Sequence, residues 1–271
     1  MDIQQLIQAG DLKAAVEQAT REVKANPMQP ACRITLFELL SLCAEWDRAE
    51  KQLQVLMQTD ASRHFGIQVY RNILAAEKSR QLLFSHGTAP HFLREPPDYV
   101  DQLLAGIDKV RSGEMEDAGR LLAKAEEDRP ALRGLRDGNP FSDFRDVHDG
   151  MGSVLEVVVH DKYTWVPWEQ ILSLEVTPPR HLRDLLWIPA RIQSRDGAVG
   201  EVFLFSLYPG SGRSDNPPVQ LGRMTDWQGP SDAICFPLGL RVFQMDQEEV
   251  SLLECRSLQF EEGPSEAQEK R

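Results

Sequence analysis

The chain has 271 residues, 41% hydrophobic and 27% charged, with a formal charge of -12 and a pI near 5.0. The length suits two ordinary domains, each able to bury a core, and the composition is that of a folded globular protein rather than a disordered one. Such an acidic chain repels a phosphate backbone, and no Lys/Arg-rich run offers a local exception, so nucleic acid is not expected as a ligand.

The first residues, "MDIQQLIQAGDLKAAVEQ", lack the basic start and apolar run of a signal peptide. No stretch approaches the roughly eighteen apolar residues of a membrane span. The cytoplasm is therefore the expected compartment. Cys32, Cys43, Cys235 and Cys255 are widely spaced and form no CxxC pair. They read as buried small hydrophobes rather than as zinc ligands or a disulfide framework.

Internal repetition dominates the first half. In "AGDLKAAVEQATREVKANP", Gly10 precedes Ala15 by five residues and Pro27 by seventeen; in "SGEMEDAGRLLAKAEEDRP", Gly113 stands in the same relation to Ala118 and Pro130. A third unit, "CAEWDRAEKQLQVLMQTD", places Ala49 thirty-four residues after Ala15 and sixty-nine before Ala118. This is tetratricopeptide-like spacing. Small residues let two helix axes approach, Gly closes the turn between them, and Pro ends the second helix. The aromatic consensus positions are mostly absent, so plain helical hairpins remain the other reading.

Further helices are expected over "ITLFELLSLCAEW" (Ile34 to Trp46), which is apolar nearly all round, and over "HFGIQVYRNILAAEKSRQLLF". Another follows the Pro96-Pro97 break in "EPPDYVDQLLAGIDKVRSG". Residues 1–134 thus read as a helical-repeat domain and 135–150 as an acidic joint.

Beyond Pro140 the runs become short and β-rich. "SVLEVVV" and "KYTWV" flank His160-Asp161 as a hairpin, and "WIPARIQ" and "VGEVFLFSL" flank a turn at Asp196-Gly197. "LGLRVFQM" and "VSLLECRSLQF" read as two more strands around "DQEE". Residues 151–261 are expected to form a mostly antiparallel small barrel or sheet, "YPGSGRSDNPP" a long loop, and 262–271 a disordered tail. The fold class is α+β.

Four segments in order, "NPFSDFRDVHD", "LEVVVHDKYTWVPWEQI", "RDLLWIPA" and "LGRMTDW", behind a repeat-like helical half, resemble the ImpE/TagJ family of type VI secretion accessory proteins. The resemblance extends to about Phe260. It implies a cytoplasmic, non-enzymatic adaptor, associated with the small sheath subunit TssB and with ClpV, the ATPase that recycles contracted sheath, and it implies no cofactor.

Polar candidates are few. Asp143, Asp146, His148 and Asp149 crowd into "NPFSDFRDVHDG". They would serve a metal-dependent enzyme as hard oxygen ligands with a base. The stretch lacks an EF-hand pattern, and no HExxH occurs elsewhere. The structural reading has the acids capping turns and pairing with Arg136 or Arg145, while Phe141 and Phe144 pin the joint to a neighbouring domain. Arg183, Asp184 and Trp187, and likewise Arg223, Asp226 and Trp227, combine a planar cation, a carboxylate and a large aromatic, as interface hot spots do. They are candidate partner-binding residues, with internal ion pairs as the competing reading. "YPGSGRS" contains Gly-Ser-Gly without a nucleophile elbow, and no glycine string matches a phosphate loop. An adaptor, a general helical-repeat scaffold and a metal-dependent enzyme are the functions in contention; oligomeric state is not readable.

Overall fold

The computed structural model describes residues 1–59, 64–227 and 229–261. The expected tail at 262–271 lies outside them. Seven helices lead: α1 (Ile3–Gln8), α2 (Leu12–Ala25), α3 (Pro30–Leu42), α4 (Trp46–Thr59), α5 (His64–His86), then α6 (Tyr99–Arg111) and α7 (Met115–Asp128) after the two-residue strand β1 (His91–Phe92). Local chemistry sets their ends. Asp2 and Gln5 form a reciprocal capping box on α1, Asp11 caps α2 by accepting the Ala14 N–H at 2.9 Å, and Pro30 occupies the first turn of α3.

The repeat spacing is physical. Ala15, Ala49 and Ala118 are all fully buried. Five residues before each stands a left-handed residue: Gly10 (φ 81°), Ala44 (φ 53°) and Gly113 (φ 80°). The next residue's N–H reaches back to the carbonyls of Leu6, Leu40 and Lys109 respectively, each at 2.9 Å. One Schellman-type turn is thus built three times, once on an alanine. That turn corrects the expected helix from Ile34 to Trp46: α3 stops at Leu42, and Trp46 opens α4.

Among the described residues, the main sheet has nine strands in the order β1-β6-β5-β9-β8-β7-β14-β2-β3. They are β2 (Gly134–Arg136), β3 (Asn139–Phe141), β5 (Val154–Val159), β6 (Lys162–Pro167), β7 (Ile171–Val176), β8 (Trp187–Ser194), β9 (Val199–Phe205) and β14 (Ser257–Phe260), with β1. It is open, so the sheet alternative holds rather than the barrel. All its pairings are antiparallel except β1 with β6, which is parallel. A second sheet joins β4 (Phe144–Asp146), β12 (Val242–Met245) and β13 (Glu248–Ser251). A ribbon pairs β10 (Thr225–Asp226) with β11 (Leu238–Gly239), and one helical turn, α8 (Pro217–Gln220), starts inside the expected long loop.

Both expected hairpin turns form, at His160 (φ 56°) and at Gly197 (φ 88°). The run "VSLLECRSLQF" is not one strand. It breaks after Ser251, so that β13 pairs with β12 while β14 enters the main sheet between β7 and β2. Residues 134–146, read from the sequence largely as a joint, supply strands to both sheets.

Alternation along the strands sorts side chains into two cores. Val154, Val158, Tyr163, Trp165, Trp187 and Phe205 join one cluster with Ala15, Leu39, Leu74 and the rest of the helical interior. Leu155, Val157, Trp168, Ile188 and Leu204 point the other way, against Phe144, Phe243 and Val250 of the small sheet. Helices and main sheet therefore share one apolar core. Phe141 and Phe144 do not reach the helices; they pack on Trp168, Phe243 and Phe260 within the β half.

Candidate functional site

Glu156 shares the helix-facing side of β5 with Val154 and Val158 and is completely buried. Three elements far apart in sequence satisfy it. Arg80 of α5 donates through Nε to Oε1 at 2.9 Å and through Nη2 to Oε2 at 2.6 Å, Arg241 donates to Oε2, and the Tyr163 hydroxyl donates to Oε1. Arg241 also donates to Asp146 at 2.8 Å, and Asp146 further accepts the Tyr208 hydroxyl at 2.8 Å and the His148 N–H at 2.8 Å. Beside them Glu77 accepts the Trp187 indole N–H at 2.9 Å and lies 3.8 Å from Arg80.

Burial alone would raise the Glu156 carboxyl, but two guanidiniums outweigh it and hold it at about 2. Asp146 faces only one guanidinium, and burial pushes it upward. Burial likewise raises Glu77. His148 accepts the Gly150 N–H on Nδ1 at 3.1 Å, which leaves its proton on Nε2; burial lowers its pKa to about 3, so the ring is neutral.

Over this network lies a cleft of about 730 Å³, between α5 on one side and the loops 207–213 and 236–238 on the other. Leu82, Phe84, Leu207, Phe236 and Leu238 supply its walls, and Arg80, His148 and Tyr208 reach its floor. One end closes where Gly212 lies so near the α3–α4 turn that a Cβ there would sit 2.9 Å from that of Ala44. Ser211, between Gly210 and Gly212, is buried and fully engaged: Oγ donates to the Tyr208 carbonyl at 2.6 Å and accepts the Gly239 N–H at 2.7 Å.

The acidic stretch disperses its carboxylates. Asp143 takes Arg129 at 2.8 and 2.7 Å, Asp146 takes Arg241, and Asp149 takes Arg145 at 2.8 Å. Of the two arginines expected there, Arg145 is a partner, while Arg136 turns to Glu248 at 3.8 Å. Among the described residues no three His, Cys, Asp or Glu side chains are grouped to hold a metal ion. Cys255 is buried and its thiol is pushed up to about 12; the other three cysteines are only half-buried, and burial lifts Cys43 to about 11.

The six candidate partner residues fall in two places. Arg183 donates to Tyr70 Oη at 2.7 Å and to Glu38 at 2.5 Å, Asp184 accepts the N–H groups of Arg180 and His181, and Trp187 is wholly buried against Phe37, Trp46 and Tyr70. Arg183 and Trp187 tie α3 and α5 to the sheet, while Asp184 caps its own turn. Arg223 caps the carbonyls of Ile7 and Gln8 at 2.8 and 3.0 Å, Asp226 is half-buried in the β10–β11 ribbon, and Trp227 is 49% exposed. Sequence reasoning passed over Arg80, Glu156 and Arg241. The available signal was one glutamate in "VLEVVV", a strand otherwise apolar on both faces.

The type VI secretion system accessory component TagJ of Pseudomonas aeruginosa is 32% identical over 261 residues, which is 96% of this chain and 92% of that protein. The chain belongs to the ImpE/TagJ family. The family description "ImpE protein" matches residues 138–259, the segment that holds Asp146, Glu156 and Arg241. A crystal structure of a Vibrio parahaemolyticus protein aligns with a TM-score of 0.89 over 96% of this chain and 98% of that one; at 23% identity it shows the same fold. The ImpE-matching segment ends in β14, and Arg80, which the helices contribute, lies outside it. In this ImpE/TagJ chain the main ionic cluster therefore spans the two halves.

Proposed function

We propose that the protein is a non-enzymatic, cytoplasmic adaptor of the bacterial type VI secretion system that binds the small sheath subunit TssB and the sheath-recycling ATPase ClpV. The observation that carries this reading is the relationship to a type VI accessory component along nearly the whole chain. The acidic stretch pairs its carboxylates with three separate arginines, which fits a structural role for it. Holding both partners at once raises their local concentration, so linked binding is the mechanism. Of the six candidate residues, Trp227 is the one that offers a large ring to solvent, and it is proposed as a peripheral contact.

Calorimetry of the full-length protein with purified TssB and ClpV, singly and together, tests the adaptor. Micromolar or tighter binding of each, with a ternary complex, is the expected result. No binding of either at high micromolar concentration, or competition of the two for one surface, overturns the linked mechanism. The full chain is required, because a cut near residue 134 would open the shared core.

A further inference from the structure

The geometry points to the α5 cleft as the docking site for an acidic, apolar-anchored peptide segment of a partner protein. Its volume, about 730 Å³, falls in the range of roughly 300–1,000 Å³ typical of binding pockets and takes one or two large side chains. The walls are aliphatic and aromatic, and Leu82 on the rim, one turn from the end of α5, is 42% exposed. An apolar anchor is what this lining desolvates.

Charge and hydrogen bonding select the rest of the occupant. Arg80, Lys78, Arg213 and the acid Glu77 line the cleft, in a chain whose net charge is -12, but Arg80 is spent on Glu156 and on the Leu207 carbonyl. Glu77 is already engaged by Trp187 and Arg80, and Lys78 is held by Asp47 and Glu50 at 2.8 Å each. Arg213, exposed at the rim, has no side-chain partner among the described residues. Two further donors lie unanswered in the same lining. The Trp46 indole N–H is buried without an acceptor. His148 is 2% exposed, its Nδ1 is used by Gly150, and its Nε2–H has no protein partner among the described residues. A segment bringing a carboxylate to Arg213 and an acceptor to the His148 Nε2–H satisfies what the lining leaves open. A basic segment would set like charge beside Arg213, and a purely apolar one would leave that guanidinium unanswered.

This proposal takes from the adaptor reading the existence of a protein partner, while the partner's chemistry comes from the cleft alone. Its test has two arms, both on the full-length chain. A random twelve-residue peptide library displayed on phage is selected on wild-type protein and on the double variant Leu82→Glu, Arg213→Glu, which alters only exposed rim positions and is checked by its melting temperature. Enrichment on wild type alone of peptides with Asp or Glu beside a large apolar residue is expected. No enrichment, enrichment without acidic residues, or equal selection on the variant overturns the cleft. Should the double variant melt early, Arg213→Glu alone is used, with the same expected and overturning outcomes.

In the second arm, affinity for TssB is measured by calorimetry. A loss of tenfold or more in the variant, with less than twofold change in Phe65→Glu at a distant exposed position, assigns TssB to the cleft. Equal binding by wild type and variant removes TssB from the cleft and leaves the adaptor intact. Absence of TssB binding to wild type overturns that partner, and the peptide arm alone then decides the cleft.

Discussion

The helix-to-helix turns and the helix-to-sheet interface are built on opposite principles. At the turns, a five-residue interval sets everything: a left-handed residue, a 2.9 Å bond back to the preceding helix, and a buried alanine. At the interface the partners lie 76 and 85 residues apart, and the contacts are charges sealed from water. The first arrangement tolerates a poor residue, as Ala44 shows. The second does not, because removing any one charge strands another in a low-dielectric interior. Repeat geometry makes the scaffold; ion pairing decides which way the sheet sits on it.

The largest expected effect comes from the interface. Arg241→Met leaves Asp146 without a cation and Glu156 with only one, and should lower unfolding free energy by about 3–5 kcal/mol at neutral pH. Urea titration measures it. By contrast, Arg120→Met at the exposed pair with Asp117 should leave the urea midpoint unchanged. Equal midpoints for the two variants would erase the distinction drawn between the regions.

Next in size is a pH effect. The folded His148 stays neutral down to about pH 3, whereas in the unfolded chain it takes a proton near 6.5. Below 6.5 the unfolded state binds the extra proton, so stability is level above that pH and falls as pH drops towards 3, by up to about 5 kcal/mol at ~1.4 kcal/mol per unit. Glu156, folded near 2 against 4.5, extends the loss to lower pH, while the raised Glu77 and Asp146 offset part of it. In His148→Asn, whose side-chain oxygen replaces Nδ1 towards Gly150, the slope between pH 6.5 and 4 should flatten. A slope unchanged from wild type would assign the acid sensitivity elsewhere.

Trp187→Phe removes the donor to Glu77 while keeping a ring against Phe37 and Tyr70, and should cost about 2 kcal/mol. Trp187→Leu should cost more. Thermal melts of the pair separate the hydrogen bond from the packing. The smallest effect belongs to the turns: Ala44→Gly relieves the one left-handed alanine among the three and should stabilise by about 0.5–1 kcal/mol. Destabilisation instead would mean that the Ala44 methyl against Gly212 matters more than the backbone.

Legibility followed the same division. The repeat could be read from Ala15, Ala49 and Ala118 because a helical turn is specified within a few residues, and both hairpin turns were legible at His160 and Gly197 for the same reason. The split of "VSLLECRSLQF" between two sheets was not, since Leu252 and Cys255 are as buried as any strand residue and nothing local marks the chain leaving one layer for another. The insertion of β14 between β7 and β2, and the parallel β1, depend on partners more than 70 residues away. Arg183 and Trp187 show the limit for sites. Composition marked them as a cation and an aromatic suited to an interface, and the interface they occupy lies inside the molecule. The cleft was invisible because its lining comes from α5 and two loops that share no local pattern.

The order in which the ribosome delivers the network bears on how the protein matures. Arg80 emerges early, on a helix that can pack on α4 but whose sheet-facing side is still open; Glu156 follows, and the second guanidinium comes only with Arg241, shortly before the chain reaches β12. Contacts of such long sequence separation form late and slowly. A nascent chain therefore holds a carboxylate pair short of its second guanidinium, and an unfinished sheet, until nearly all of it has been made, and chaperones have that whole interval in which to engage it.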